Sequence, residues 1–485
     1  MSTNATPLTS SHGTALFSPY LRLSAKIDIP ERLMQDKLFS VIRKLKTDYV
    51  EVRLDESQSS RLVFRGERLE EAGRTAGAGG CVRALVKGGW GFASFNSPGR
   101  LEESAALAVE QATHVGKGKS EFSPAQAVVD KVDAEYKKNP LAVTLSAKKS
   151  LLDEYNRIML EIPDIQTTSI GYGDIRKKVI FASSDGSYIE QSRIDLNLRL
   201  SAIASRNGDV QQVGLSIGSK GDFSTVEGLQ EKVQGIARRA VAMLSAPAVK
   251  GGTYTVVLDP VLAGVFVHEA FGHLSEADHI YENPQMREIM VLGRRFGGQH
   301  LNIVDGASLP GLRGSYRYDD EGTPAGKTYL IKEGVLNSRL HSRETAAKMG
   351  EKPTGNARAI NYAYPPIVRM TNTYIEPGST TFDEMIGGIK EGVYARDWYG
   401  GTTSLEMFTF SAGEAYMIRD GKIAEMIRPV VLSGNVFTTL HNIDAIGSDL
   451  DMNQGGGCGK AGQSPLPVSN GSPHIRIQNC LVGGK

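Results

Sequence analysis

The sequence predicts an α+β fold: antiparallel β-sheets with packed helices, arranged as N-terminal α/β units followed by a larger C-terminal domain. Three observations carry this. Runs of alternating apolar and polar residues are joined by turn pairs such as Asp185-Gly186, Asn207-Gly208, Glu333-Gly334 and Asp420-Gly421, the signature of antiparallel hairpins. Helical spacing comes between strands without a regular βαβ rhythm. The chain has 485 residues, long enough for two or three domains.

Along the chain, residues 1–27 read as a flexible polar tail. A first α+β unit, 28–115, opens with helical spacing in IPERLMQDKLFSVIRKLKT. In DYVEVRLD, Val50, Val52 and Leu54 alternate with Glu51, Arg53 and Asp55, as in a half-buried strand. CVRALVKGGWGFASF gives two strands about a Lys87-Gly88-Gly89 turn, and LEESAALAVEQAT a helix behind them. Residues 116–145 are polar, Lys-rich and weakly periodic, and are taken as a linker or crossover. The unit 146–244 is a helix followed by a meander, in which Ile194, Leu196, Leu198, Leu200 and Ala202 share one face. SAPAVKGGT marks the boundary of a C-terminal domain, 245–485, which begins with the strand YTVVLD and closes with HIRIQNCLV.

Composition excludes several classes. With 55 Lys+Arg against 54 Asp+Glu the net charge is +1, which speaks against nucleic acid as a partner. No stretch approaches the 18 apolar residues of a membrane span, so no membrane partner is expected. The N-terminus has no basic segment followed by an apolar one, and three cysteines cannot form a disulfide framework in so long a chain. A cytoplasmic, reducing location is expected.

The chemistry-bearing stretch is VFVHEAFGHLSEADH, from Val265 to His279. His268 and Glu269 match the H-E-x-x-H zinc signature, but the next histidine is His273, five residues on instead of four. At about 100° per residue, a five-residue step sets two side chains about 140° apart, away from one common metal. A single π-type turn absorbs the extra residue, and Gly272 is where a helix deforms most cheaply. Asp259-Pro260 starts the helix, and VLAGVFV carries His268 and Glu269 into a core, where ionisable groups must be paired or ligated. The alternative is an ordinary Glu269–His273 pair beside a satisfied core histidine.

A catalytic zinc needs a third protein ligand. Local candidates are Glu276, Asp278 and His279, and the distant one is Cys458 in the glycine-rich NQGGGCGKAGQ. That loop fails as a phosphate loop, because Gln454 stands at the first glycine position and Ala461 follows Lys460. Spacing leaves Cys458 and Glu276 evenly placed. Glu276 and Asp278 are also candidates for orienting the histidines or capping the helix end. Arg369, Asn372 and Tyr374 read as a strand facing a substrate, or as structural residues.

From about Asp48 onward the chain resembles the TldD/TldE (PmbA) metalloprotease family, on its TldD side. The carriers are HEAFGHLSEAD, DDEGTPAGKTYLIKEGVL, PTGNARA, RMTNTYIEPG, SAGEAYMI and GCGKAGQ, in that order. The family's own motif is H-E-x-x-x-H. The resemblance implies a zinc metallopeptidase domain over 245–485, with His268, His273 and Cys458 as Zn2+ ligands and Glu269 as catalytic acid/base. It also implies a short or unfolded polypeptide as substrate, held in an enclosed chamber, and a dimer, either with a TldE/PmbA-like partner subunit or of two copies. A non-catalytic TldE-like subunit and a regulator of DNA gyrase are the competing readings.

Overall fold

A computed structural model describes residues 31–116, 118 and 121–484; the tail expected over 1–27 lies outside the described residues. The N-terminal half contains α1 (Glu31–Ile42), β1 (Tyr49–Arg65), β2 (Arg68–Val86), β3 (Gly89–Phe95), α2 (Leu101–Val115), β4 (Val129–Val132) and α3 (Leu145–Leu160). There follow β5 (Ile165–Ser183), β6 (Tyr188–Arg206), β7 (Asp209–Ser219) and α4 (Gln230–Met243). The strands form one sheet, ordered β3-β2-β1-β5-β6, with β7 antiparallel and β4 parallel against β6. The β1–β5 pairing, Leu54 opposite Ile180, thus joins strands from both sides of segment 116–145.

All four helices lie on one face of this sheet. Val50, Val52, Leu54, Val82, Ala84 and Ile180 pack against α1 and α2 at one end. Leu62, Phe64, Ile170, Leu196, Leu198 and Leu200 pack against α3 and α4 at the other. These residues are in phase across the paired strands, so two cores sit on a single pleated surface.

The opposite face corrects the expectation of a half-buried strand. Glu51, Arg53 and Asp55 are buried. Arg53 donates to the carbonyls of Asn361 (2.7 Å) and Tyr364 (3.1 Å), Arg83 pairs with Glu321 (2.6 Å), and Gln191 donates to the Tyr318 carbonyl (3.0 Å). The alternation is real, but its polar phase meets the C-terminal domain instead of water. Buried ions need such charge-assisted partners, so the contact has a single register.

The C-terminal domain is built on two sheets. One is ordered Glu391–Ser404, β8 (Gly252–Leu258), Ile475–Gly484, Val430–Asn435, Met407–Arg419, Lys422–Ile427. The other runs Val335–Leu336, Lys327–Lys332, Ile303–Gly306, Asn372–Ile375, Ser469–Ser472, Asp451–Asn453. Most pairings are antiparallel; β8 with Glu391–Ser404, and Asn372–Ile375 with Ser469–Ser472, are parallel. Helix α5 (Pro260–Val267) packs against strands of both sheets, and Leu262, Ala263, Phe266 and Val267 are buried in the largest core. Burying each of the larger side chains contributes about 1.5–3 kcal/mol, which fixes the helix that leads into the site.

Asp259 caps α5, its Oδ1 accepting from the Leu262 N–H at 2.9 Å, with Pro260 at the first helical position. Burial, and then the charge of Asp397, push its carboxyl up to about 7. Unfolded, it titrates near about 3.9. The folded state therefore favours the proton, and this stabilisation, full below about pH 4, is lost as pH rises toward 7. Asp259→Asn keeps a capping oxygen without that titration. Urea midpoints at pH 5 and pH 8 are expected to show the variant gaining about 2–3 kcal/mol on the wild type between the two. A pH-independent difference would refute this reading of Asp259.

Candidate metal centre

The helix begun by α5 changes pitch where the motif lies. From His268 to Gly272 the chain makes a π turn, and the His273 N–H donates to the His268 carbonyl five residues back. In that geometry residues five apart stack on one side, as residues four apart do in an α-helix. The ring centroids of His268 and His273 lie 5.3 Å apart. A short 3-10 turn, His273–Ser275, then ends the helix.

Gly272 is the last residue of the π turn. Its φ of −58° and ψ of −50° are ordinary right-handed helical values. A Cβ there would lie 2.0 Å from Met370 Sδ, so a larger residue would have to displace that buried side chain.

Cys458 arrives from 185 residues further on. It lies on Gly457–Lys460, paired in a hairpin with Gln463–Pro467. Arg369, fully buried, donates to the carbonyls of Cys458 (2.8 Å) and Gln463 (3.1 Å), and so holds the hairpin in place. The preceding loop runs against β7: a Cβ on Gly455 would lie 2.4 Å from the Ser216 carbonyl oxygen. Arg313 fastens this loop to the N-terminal sheet. It donates to the carbonyls of Gln454 (2.6 Å) and Gly456 (2.7 Å) while pairing with both oxygens of Asp195 (2.6 and 2.8 Å).

One ligand atom each from His268, His273 and Cys458 lie within 4.8 Å of one another, and among the described residues no other such group occurs. Cys458 Sγ is 3.5 Å from His273 Nε2. Two ligands of a tetrahedral zinc with ordinary Zn–N and Zn–S bonds sit about 3.6 Å apart. His268 Nδ1 is buried without a hydrogen-bond partner, a need that costs about 1–3 kcal/mol if left unmet. Two imidazoles and a thiolate are a donor set suited to Zn2+. The residues fit a metal ion.

The electrostatics favour the ligand form of the cysteine. Burial pushes the Cys458 thiol up, but the neighbouring imidazoles of His268 and His273 outweigh it and bring it down to about 5. Burial alone would lower His273; the Glu276 carboxylate and Cys458 raise it instead, well above the usual value.

Glu276 stands behind the site. Its carboxylate contacts His273 Nδ1 at 3.1 Å, the nitrogen opposite the one facing Cys458, and Lys460 Nζ at 3.0 Å. Burial works against its charge, yet His273 and Lys460 hold it down at about 2. Asp278 also takes Lys460, at 2.7 and 2.8 Å, and His279 is exposed. Glu276 is thus placed to orient His273, in the manner of carboxylate–histidine–metal groupings. Glu269 is half-buried, with Oε2 4.0 Å from His273 Nε2.

Sequence reasoning missed Lys460, weighing it only as part of a phosphate loop; its place two residues after Cys458 in one strand was the available signal. Arg369 and Asn372, fully buried, do not face a substrate. Asn372 accepts from the Gly314 N–H and donates to the Gly306 carbonyl and Ser315 Oγ. Tyr374 is buried as well.

Three family models match this chain: PmbA/TldA metallopeptidase domain 1 over residues 50–115, the central domain over 138–246 and the C-terminal domain over 251–484. A metalloprotease of Synechocystis sp. is 48% identical over 441 residues, covering 90% of this chain and 95% of the relative. A zinc metalloprotease TldD homolog of Saccharolobus solfataricus is 35% identical over 328 residues, 66% of this chain and 72% of the relative. The crystal structure of TldE from Thermococcus kodakarensis shares the fold, with a TM-score of 0.73 at 16% identity over 93% of this chain and 100% of that one.

Proposed function

Since the chain belongs to the PmbA/TldD metallopeptidase family, we propose that it is a zinc peptidase in which His268, His273 and Cys458 hold the metal and Glu269 moves the proton. The observation that carries this is the convergence of the three ligand atoms within 4.8 Å, with Glu269 beside them. A zinc ion held there supplies a Lewis acid that acidifies a water and polarises a peptide carbonyl. Glu269, partly open to solvent, accepts the proton of the attacking water and delivers it to the departing amine nitrogen. Glu276 keeps the His273 ring turned so that Nε2 faces Cys458 and would be free to hold the metal.

The second reading, a non-catalytic TldE-like subunit, shares the fold, as the Thermococcus structure illustrates. It gives no reason for two histidines and a low-pKa cysteine to converge in a core.

The substrate is a short or unfolded polypeptide, and the assembly a dimer with a TldE-like partner or with a second copy. No helix among the described residues is long and apolar enough to cross a membrane. Trp398, Tyr399, Leu405 and Met407 are each exposed along the hairpin formed by Glu391–Ser404 and Met407–Arg419, apolar side chains that a partner subunit could cover. Enclosure between subunits admits an extended chain and excludes a folded domain. The test compares cleavage of an unstructured peptide with that of the same segment inside a stable domain, alongside zinc content and light scattering. One zinc per chain, cleavage of the free peptide alone, and a dimer burying more than about 2,000 Å² are expected. A metal-free preparation that zinc does not activate would favour the non-catalytic reading. Equal cleavage of both substrates by a monomer would remove the chamber.

A further inference from the structure

Between the charged face of the N-terminal sheet and the loop leading to Cys458 lies a cleft of about 560 Å³, within the range of ligand sites. One wall is the sheet, where Gly171 and Gly173 leave a floor with no side chains; the other includes Gly455, Gly456 and Gly457 and the strand partner of the Cys458 hairpin. His268, Glu269 and His273 are not among its walls.

The charges around it do not balance. Two carboxylates line the cleft, and each already has its cation: Asp195 takes Arg313 at 2.6 Å, and Asp174 takes Lys148 at 2.5 Å. Two lining cations are likewise matched outside it, Arg61 by Glu71 and Lys177 by Asp55. Three remain. Among the described residues, Arg199, Lys220 and Arg358 have no carboxylate within ion-pair distance, and Arg193 approaches Asp320 only to 4.0 Å. Arg358 is buried and donates to two carbonyls, of Met370 and Pro467, while its Nε has no partner; Arg193 Nε is also buried without one. Burial, together with the charge of Arg193, lowers Lys220 against the opposing pull of the Glu135 carboxylate. Burial likewise lowers Arg358; Tyr316 and the Asp320 carboxylate oppose this, and the charges of Arg193 and Arg369 reinforce it. Cations crowded in a cleft of reduced dielectric attract an anion far more strongly than the same charges spread over a surface.

We propose that this cleft binds an acidic stretch of the polypeptide substrate, seating Asp or Glu carboxylates on Arg199, Lys220 and Arg358 beside the hairpin that carries Cys458. The inference rests on the peptidase reading for its choice of ligand. A polypeptide fits better than a nucleic acid, because among the described residues Tyr172 is the only aromatic one on the walls and it is buried. There is no free aromatic face on which a base would stack.

The test uses two labelled unstructured peptides, identical except that four glutamates outside the cleaved segment are glutamines in the second. Binding is read by fluorescence anisotropy on full-length, zinc-loaded Glu269→Gln protein, with and without Lys220→Glu and Arg199→Glu together. The glutamate peptide is expected to bind about tenfold tighter at low salt, with the advantage shrinking as salt rises and vanishing in the charge-reversed protein. Lys220→Gln with Arg199→Gln gives the same readout should the reversal impair folding. Equal binding of the two peptides, or an advantage that survives both variants, overturns the proposal. So does a single-stranded oligonucleotide that binds as tightly as the glutamate peptide. A wild-type protein that cleaves both peptides without charge preference would sink the cleft and leave the peptidase intact. A charge preference in binding with no cleavage by the wild type would do the reverse.

Discussion

Glu269→Gln is expected to keep one zinc per chain and lose hydrolysis by about a thousandfold or more, within the span that a positioned acid/base contributes. The side chain keeps its size, so the π turn and the packing of Ala270 and Phe271 beside it are undisturbed. What is lost is the ability to accept a proton beside the point where His268, His273 and Cys458 converge, next to His273 Nε2. Because Glu269 stands beside the ligand atoms without being one of them, metal content and turnover separate in this variant. In His268→Ala they fall together, since a ligand is removed. Steady-state cleavage of an unstructured peptide and metal analysis of the same samples decide the matter. A glutamine variant that turns over near the wild-type rate would assign the proton transfer to another group.

Cys458→Ser is expected to release zinc, with an affinity loss exceeding the roughly 10–100-fold that removal of an outer partner of a metal ligand costs. The other two cysteines are internal controls. Cys81 and Cys480 are also buried, but burial pushes their thiols up, to about 11 and about 12, so both stay protonated. Only Cys458 has imidazoles close enough to reverse the cost of burial. Cys81→Ser and Cys480→Ser are therefore expected to retain metal. Equal zinc in all three variants would return the third ligand to an oxygen donor. Glu276 is then the first to examine, although it pairs with His273 through the nitrogen that faces away from Cys458.

Much of the fold was legible because it is written in local pattern. Asn207-Gly208 and Glu333-Gly334 both turn with positive φ, as two-residue hairpins require, and the helices fall where apolar residues recur at helical spacing. Asp259-Pro260 begins a helix as an N-cap followed by proline should. The H-E-x-x-x-H spacing carried its own geometric demand: two side chains five apart face one point only if the helix widens, and it does so from His268 to Gly272.

Tertiary structure decided what local pattern leaves degenerate. Period-two alternation shows which side chains share a face but not what covers it; Arg53 and Arg83 became interface residues because another domain brought carbonyls and Glu321 to them. Strand pairing is likewise non-local, which is why β1 and β5, separated by two helices and a polar crossover, form one sheet. Chain distance carries no information about the third candidate ligand. Cys458 and Glu276 stood even on spacing, and folding separated them, Cys458 to one nitrogen of His273 and Glu276 to the other. The sequence by itself determined the strongly patterned helices and hairpins, the turn chemistry and the bulged motif, since each depends on neighbours along the chain; β4, in the weakly periodic crossover, was not among them. The direction each polar side chain faces, and the ion that its partners can hold, depend on residues hundreds of positions away, and only packing brings those together.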